Sequence, residues 1–288
     1  MRTPTRGVVL VIGASSGIGR ASALRLVRAG YFVFGTTRQS PSQLQVELRA
    51  ETEAGENDRL VMLGVDVTRH ETVDAAIETI VDRVGRLDAV VCSAGYGLAG
   101  AVEDTSDDEA LAILDTNLLG IHRVSRAALP VMRAQGSGTL LLVSSLGGRI
   151  GLPFQAFYSA SKFAVEGFAE ALRMEVRRFG VHVTLVEPGD FSTGFTDHRL
   201  YTDVTTIDSI YREAFQQTMA VVESDERTAA SPEAVAALVT RILRTRRPRL
   251  RYTVGPLKQR AAAALKSVIP AAWFEAILRA TYRVDRHS

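Results

Sequence analysis

Apolar residues in this chain fall into short continuous runs. Longer stretches between them repeat an apolar position every three or four residues. Residues 7–12 (GVVLVI) are apolar without interruption, the pattern of a strand buried on both faces. Further runs at 31–37, 59–65, 87–92, 139–143 and 181–186 predict more strands, and 251–254 a last one. Amphipathic spacing predicts helices from the glycine turn at 13–19 to about residue 29, over 41–53, 71–84 and 107–134, and through 158–162. The polar stretch 55–58 (GEND) reads as a turn. Strands alternating with helices are the signature of a parallel sheet covered on both faces. The predicted fold class is α/β, a doubly wound parallel sheet.

No compositional break divides the chain before residue 190, so 1–190 read as the core of a single domain. Residues 191–231 are irregular, then helical over 209–222, as expected of a lid over a site at the C-terminal strand ends. Ser231-Pro232-Glu233 opens another helix, with serine as cap and proline at the first position. Residues 232–288 add that helix, the last strand and two more helices at 257–268 and 271–282. This tail is basic: Arg241, Arg244, Arg246, Arg247, Arg249, Arg251, Lys258, Arg260 and Lys266 have no acid among them. Its apolar anchors, Leu265, Ile269, Trp273, Phe274, Ile277 and Leu278, suit a helix pair that closes a pocket or packs on a partner subunit. Peripheral contact with anionic membrane is the second reading of the tail.

The formal charge of +2 is too small to suggest nucleic acid. Cys92 is the single cysteine, which excludes an intrachain disulfide and a Cys-based zinc site. His70, His122, His182, His198 and His287 show no metal-ligand spacing, so no metal is expected. The opening MRTPTRG lacks the apolar stretch of a signal peptide, and no apolar run approaches the ~20 residues of a membrane span. A cytoplasmic, soluble protein is expected.

The first strand leads directly into Gly13-Ala14-Ser15-Ser16-Gly17-Ile18-Gly19, then a helix. Such a loop permits a tight turn and close backbone approach, and the helix N-terminus attracts pyrophosphate. The second strand ends in Thr37 and Arg38, where NAD-binding folds usually carry an acid. Threonine does not repel a 2′-phosphate and arginine pairs with one bidentately. Arg20 and Ser16 lie nearby in sequence. The expected cofactor is therefore NADP(H), with NAD(H) left open. Asp66-Val67 ends the third strand, where the acid can accept a bond from an adenine amino group. Ser93-Ala94-Gly95 follows the fourth, small enough for close approach to a ligand. Cys92 reads as core, and Asn117 is a polar amide among Leu114, Leu118 and Leu119 that needs partners.

Tyr158 and Lys162 stand four apart on a helical run, so they share a face. A free phenol has a pKa of about 10. A nearby ammonium favours the phenolate and is expected to lower that value. The phenol could then exchange a proton with a carbonyl or alcohol oxygen, while Ser145, just past a strand, steadies the same oxygen.

In these motifs the chain resembles the short-chain dehydrogenases/reductases, in the single-domain branch. The match runs from Gly7 to about Phe195 and carries the Gly13-x-x-x-Gly17-Ile18-Gly19 loop and Asp66-Val67. It also carries Asn117 with Leu-Leu-Gly120, Ser145, Tyr158 and Lys162, and then Pro188-Gly189 with Thr193. The resemblance implies hydride transfer between nicotinamide and a carbonyl or secondary alcohol. Tyr158 would be the acid/base, Lys162 its activator and a ribose ligand, Ser145 the oxygen holder, and Asn117 the support of a relay water. Pro188, Gly189 and Thr193 would grip the nicotinamide carboxamide. It implies a homodimer or homotetramer as well. Ile12 and Ser93 depart from the family's usual threonine and asparagine, which face each other on adjacent strands; that contact is expected to be replaced rather than broken. Leu146, Ile150, Leu152, Phe154, Phe191 and Phe195 suggest an apolar pocket for a steroid-, retinoid- or lipid-like substrate. Two alternatives are an NADP(H)-binding sensor without catalysis, disfavoured by the intact Ser-Tyr-Lys set, and an extended-branch epimerase or dehydratase. The short C-terminal region and the glycine spacing argue against the latter.

Overall fold

Side chains on a strand point alternately to opposite faces, and this decides how the layers assemble. The computed structural model describes residues 6–52 and 57–284. Strand β1 (Val8–Ile12) is buried throughout. Val8, Leu10 and Ile12 enter one core layer, while Val9 and Val11 enter the other. The chain then alternates: α1 (Gly17–Arg28), β2 (Phe32–Thr37), α2 (Pro41–Ala50), β3 (Leu60–Gly64), α3 (His70–Val84) and β4 (Ala89–Cys92). After the short β5 (Leu98–Ala99) come α4 (Asp107–Leu114), a π-helical turn (Asp115–Leu119) and α5 (Gly120–Gln135). Next are β6 (Gly138–Val143), α6 (Ala156–Val176) and β7 (Val181–Pro188). The remainder is β8 (Leu200–Tyr201), α7 (Asp203–Ile207), α8 (Arg212–Arg227), α9 (Glu233–Leu243), β9 (Arg251–Val254), α10 (Leu257–Leu265) and α11 (Ala271–Tyr282).

Seven parallel strands form one sheet in the order β3-β2-β1-β4-β6-β7-β9. α3, α5 and α6 cover one face through Ile77, Ile80, Val124, Met132, Val165 and Leu172. α1, α2 and α9 cover the other through Leu26, Leu44, Leu48, Val235 and Val239. The strand order reverses between β1 and β4, which opens a crevice at the carboxyl ends of the strands.

The expected helix over 107–134 is helical throughout, with the π-turn at Asn117 as an unexpected interruption. Ser106 and Glu109 form a reciprocal cap at its start. Residues 191–231 are more ordered than expected, because β8 pairs with β5 in a second, two-stranded sheet. Ser231 Oγ accepts the Glu233 N–H at the start of α9, 3.3 Å away. Residues 53, 55 and 56 of the expected helix end and turn, and His287, lie outside the described residues.

The basic tail is not one surface. Arg251 turns inward, its Nε 2.8 Å from Glu166 Oε2 and 3.3 Å from the fully buried Glu187, and it also bonds Glu170. Lys266 donates to the Arg149 carbonyl at 2.7 Å. α10 and α11 press Ala263 and Phe274 onto Leu146 and Ile150. Leu257, Val268, Trp273 and Ile277 stay exposed on the outside. No helix among the described residues is long and apolar enough to cross a membrane.

Candidate active site

β1 leads into Gly13, whose φ of +82° suits glycine. A Cβ there would lie 2.9 Å from the Ala94 amide nitrogen, and one at Gly19 would collide with the Gly13 carbonyl. Ser16 occupies the N-cap of α1 but makes no side-chain capping bond, and no acid sits in the first turn. The first-turn N–H groups are thus left for an anion. Gly17 brings the same loop against Thr193, whose carbonyl would lie 3.1 Å from a Cβ at that position. Thr37 Oγ1 accepts the Gln39 N–H at 3.0 Å, and Arg38 stands exposed beside it. Arg20, in contrast, is engaged by Glu51. Asp66 Oδ1 accepts both the N–H and the hydroxyl of Thr68, and Val67 packs beneath Gly120. Ile12 and Ser93 meet through the backbone, Ser93 N–H donating to the Ile12 carbonyl at 3.0 Å. Cys92 is core, and burial pushes its thiol up to about 12.

α6 places Tyr158 and Lys162 on one face, both buried. Ser145 follows β6, its hydroxyl near enough to the Tyr158 phenol to favour the phenolate; its Oγ accepts the Gly147 N–H at 3.0 Å. Lys162 Nζ donates to the Val143 carbonyl at 3.1 Å and lies 5.9 Å from the Tyr158 ring centre. Asn117, 0% exposed, accepts the Tyr96 N–H at 3.1 Å and donates to the Tyr96 carbonyl and Ser161 Oγ, each at 3.0 Å. Both its amide protons are therefore spent inside the protein. Its side chain is first a clamp on the segment after Gly95.

The electrostatics differ from the sequence expectation. Burial pushes the Tyr158 phenol up to about 12, with the Ser145 hydroxyl pulling the other way. Burial also pulls the Lys162 ammonium down to about 8, against Glu166. The packing that joins the pair penalises the charged form of each. At neutral pH the phenol is protonated, and Lys162 does not pre-form a phenolate.

One cavity of about 130 Å³ joins these pieces. Ile18, Ser93, Gly95, Ser145, Tyr158, Lys162, Pro188, Gly189 and Thr193 all line it. Gly13, Ser15, Ser16, Gly17, Gly19, Thr37, Arg38, Asp66, Val67 and Ala94 lie beyond it, on the loops after β1 to β4. Leu152, Phe191 and Phe195 line the cavity as expected. Leu146 and Ile150 do not, because they anchor α10 and α11. Phe154, held at φ +56°, turns to Phe215 and Tyr201 instead. Sequence reasoning missed Gln155, Asp190, Asp225, Glu226 and Tyr282, which all line the cavity. Asp190 alone carried a signal, as an acid directly after Pro188-Gly189.

The family model for short chain dehydrogenases matches residues 7–203. A 3-ketodihydrosphingosine reductase of Bacteroides thetaiotaomicron is 38% identical over 277 residues, 96% of this chain and 98% of that one. Human 17-beta-hydroxysteroid dehydrogenase type 1 is 39% identical over 256 residues, 86% of this chain and 77% of that protein. The crystal structure of a short-chain dehydrogenase from Streptomyces avermitilis superposes with a TM-score of 0.81 at 32% identity, covering 98% of this chain and all of that one. Fold, motif order and these likenesses agree, and the chain belongs to the short-chain dehydrogenase/reductase family.

Proposed function

We propose that this oxidoreductase uses NADP(H) to interconvert a carbonyl and a secondary alcohol on a lipophilic substrate. The observation that carries this is the joint presence of the Ser145 and Tyr158 hydroxyls and Lys162 on the wall of one cavity. The loop suits a dinucleotide: the N-terminus of α1 is uncapped, and Gly13 and Gly19 let the turn pack too closely on Ala94 and on itself for any side chain. Ser15, Ser16, Gly17 and Ile18 would complete the pyrophosphate contacts. Asp66 and Val67 would hold the adenine, and Ser93, Ala94 and Gly95 would flank the ribose. Pro188, Gly189 and Thr193 would hold the carboxamide. The dinucleotide, when bound, supplies or accepts the hydride.

The chain's own residues handle the oxygen and its proton. Ser145 and Tyr158 bind the carbonyl oxygen, and Tyr158 gives it the proton from Oη. A phenol protonated at neutral pH is ready to act as the acid when a carbonyl is reduced. Lys162 sits behind, positioned by Val143 to hold a ribose hydroxyl and to supply positive charge as the phenol loses its proton. Asn117 fixes the Gly95–Tyr96 backbone over Lys162; a relay water is left with its main-chain oxygen or the second lone pair of Oδ1. Arg38, exposed at the end of β2, would pair with a 2′-phosphate.

Val222, Glu226 and Tyr282 line the cavity from α8 and α11, so residues 191–231 and the terminal helix pair act together as its lid. The outer side of that pair carries exposed Leu257, Val268, Trp273 and Ile277 beside Lys258 and Arg260. That combination suits an anionic bilayer, the source of a lipid substrate. Tyr158→Phe tests the chemistry. It should abolish NADPH-dependent ketone reduction yet keep NADPH fluorescence binding, and retained turnover would falsify the reading. A sensor would oxidise no NADPH with any ketone.

A further inference from the structure

We propose that Gln259, in the first turn of α10, is a positioning residue for the nicotinamide end of the cofactor, so that the C-terminal tail belongs to the cofactor site. This rests on the oxidoreductase reading above, in which Pro188, Gly189 and Thr193 hold the carboxamide. The tail reaches that segment through the sheet. β9 pairs with β7 as far as Pro188 and Val254, and the Gly189 N–H extends the ladder by donating to the Val254 carbonyl at 2.8 Å. Gly255, at φ +135°, then turns the chain across Gly189; a Cβ on Gly255 would lie 3.0 Å from the Gly189 nitrogen. α10 starts directly after Pro256. Its Gln259 amide meets Asp190 twice: Oε1 accepts the Asp190 N–H at 3.0 Å, and Nε2 donates to Asp190 Oδ2. One side chain thus fixes both the main chain and the side chain of the residue after Pro188-Gly189. The fit is close, since a Cβ at Gly189 would collide with Gln259 Oε1.

The same helix also grips the loop that follows Ser145. Gln259, Ala263 and Lys266 recur at helical spacing and share one side of α10. Ala263 packs with Leu146 and Ile150, and Lys266 donates to the Arg149 carbonyl at 2.7 Å. α10 therefore braces two segments against each other. One carries the nicotinamide contacts; the other starts from the serine that holds the substrate oxygen. Their separation sets how far the hydride must travel, and a misplacement of about 1 Å can cost a hundredfold in rate. Gly189 and Asp190 line the cavity, and Gln259 sits behind them. It acts through that segment and touches no reacting atom.

The test compares, in the full chain, binding of a reduced dinucleotide with binding of the same nucleotide lacking nicotinamide. NADPH against ADP-ribose 2′-phosphate is the first pair, and NADH against ADP-ribose the second. Gln259→Glu keeps the acceptor for the Asp190 N–H but sets a second carboxylate against Asp190. It should weaken the dinucleotide about tenfold and leave the fragment within about twofold. In an Asp190→Asn background the amide and the carboxylate exchange roles, and there the same replacement should cost the dinucleotide less than about twofold. Gln259→Met removes both bonds without adding charge; it should weaken the dinucleotide selectively, and it decides the matter should the glutamate variant fail to fold by circular dichroism. A loss shared equally by dinucleotide and fragment, no loss at all, or a glutamate penalty equal in both backgrounds overturns the proposal. A parent chain that binds none of the four nucleotides overturns the oxidoreductase reading, and this proposal falls with it.

Discussion

Replacing Lys162 with methionine should stabilise the folded chain while abolishing its chemistry. Lys162 is 6% exposed, and burial lowers its pKa from 10.5 to about 8. Each pH unit between those values is worth about 1.4 kcal/mol, so keeping this ammonium charged in the fold costs about 3 kcal/mol. Methionine fills similar space but leaves the Val143 carbonyl without its donor, a loss of about 1–2 kcal/mol. The net gain is about 1–2 kcal/mol at pH 7, or about 2–3 °C in Tm for a chain of 288 residues. The sign follows from linkage. The folded pKa lies below the unfolded one, so the cost is fully present below about pH 8 and fades as pH rises toward 10.5. Thermal and urea unfolding of both proteins at pH 7 and pH 10 measures this. A variant less stable than the parent at pH 7, or a difference that grows toward pH 10, refutes the reasoning.

Further expectations can be checked on the same protein. Arg38→Glu should raise KM for NADPH about 10- to 100-fold and leave that for NADH within a few fold, measured by cofactor titration at saturating ketone. Arg251→Ala takes the guanidinium from Glu166 and leaves the fully buried Glu187 with Arg149 and the Thr253 hydroxyl, and should cost about 1.5–3 kcal/mol in urea unfolding; a loss below 1 kcal/mol counts against the inward reading of the tail. Emission of Trp273, which is 69% exposed, should shift blue with vesicles containing anionic lipid and not with zwitterionic ones. No shift with either would remove the membrane contact.

The legible part of this fold is the part whose pattern is local. β1, β2, β4, β6 and β7 are largely buried on both faces, so they stand out as short runs rich in apolar residues, unbroken in β1, whose ends the structure moves by only a residue or two. The glycine loop and the Tyr158/Lys162 pair were legible because turn geometry and helical spacing are written into neighbouring residues. The two-residue strands β5 and β8 were not, since nothing in a dipeptide reports a partner a hundred residues away. The cavity acids were hidden for the same reason: Asp190, Asp225 and Tyr282 meet only once α8 and α11 have packed. Charge was misread where burial decides it. Spacing put an ammonium beside Tyr158, but not the desolvation that outweighs it. Arg251 looked like one member of a basic surface, until β9 carried it against Glu166 and Glu187.

The π-turn over Asp115–Leu119 gives the chain slack in length at that place. Such a turn takes up one residue more than a regular one. The wider turn absorbs that residue, so excising one there would give a regular helix with Ile121, Val124, Ala128 and Met132 still toward the sheet, while Asn117 would lose its grip on Tyr96. A deletion further along α5 has no such slack: it would turn every residue beyond it by about 100° and change which face of the sixteen-residue helix the sheet meets.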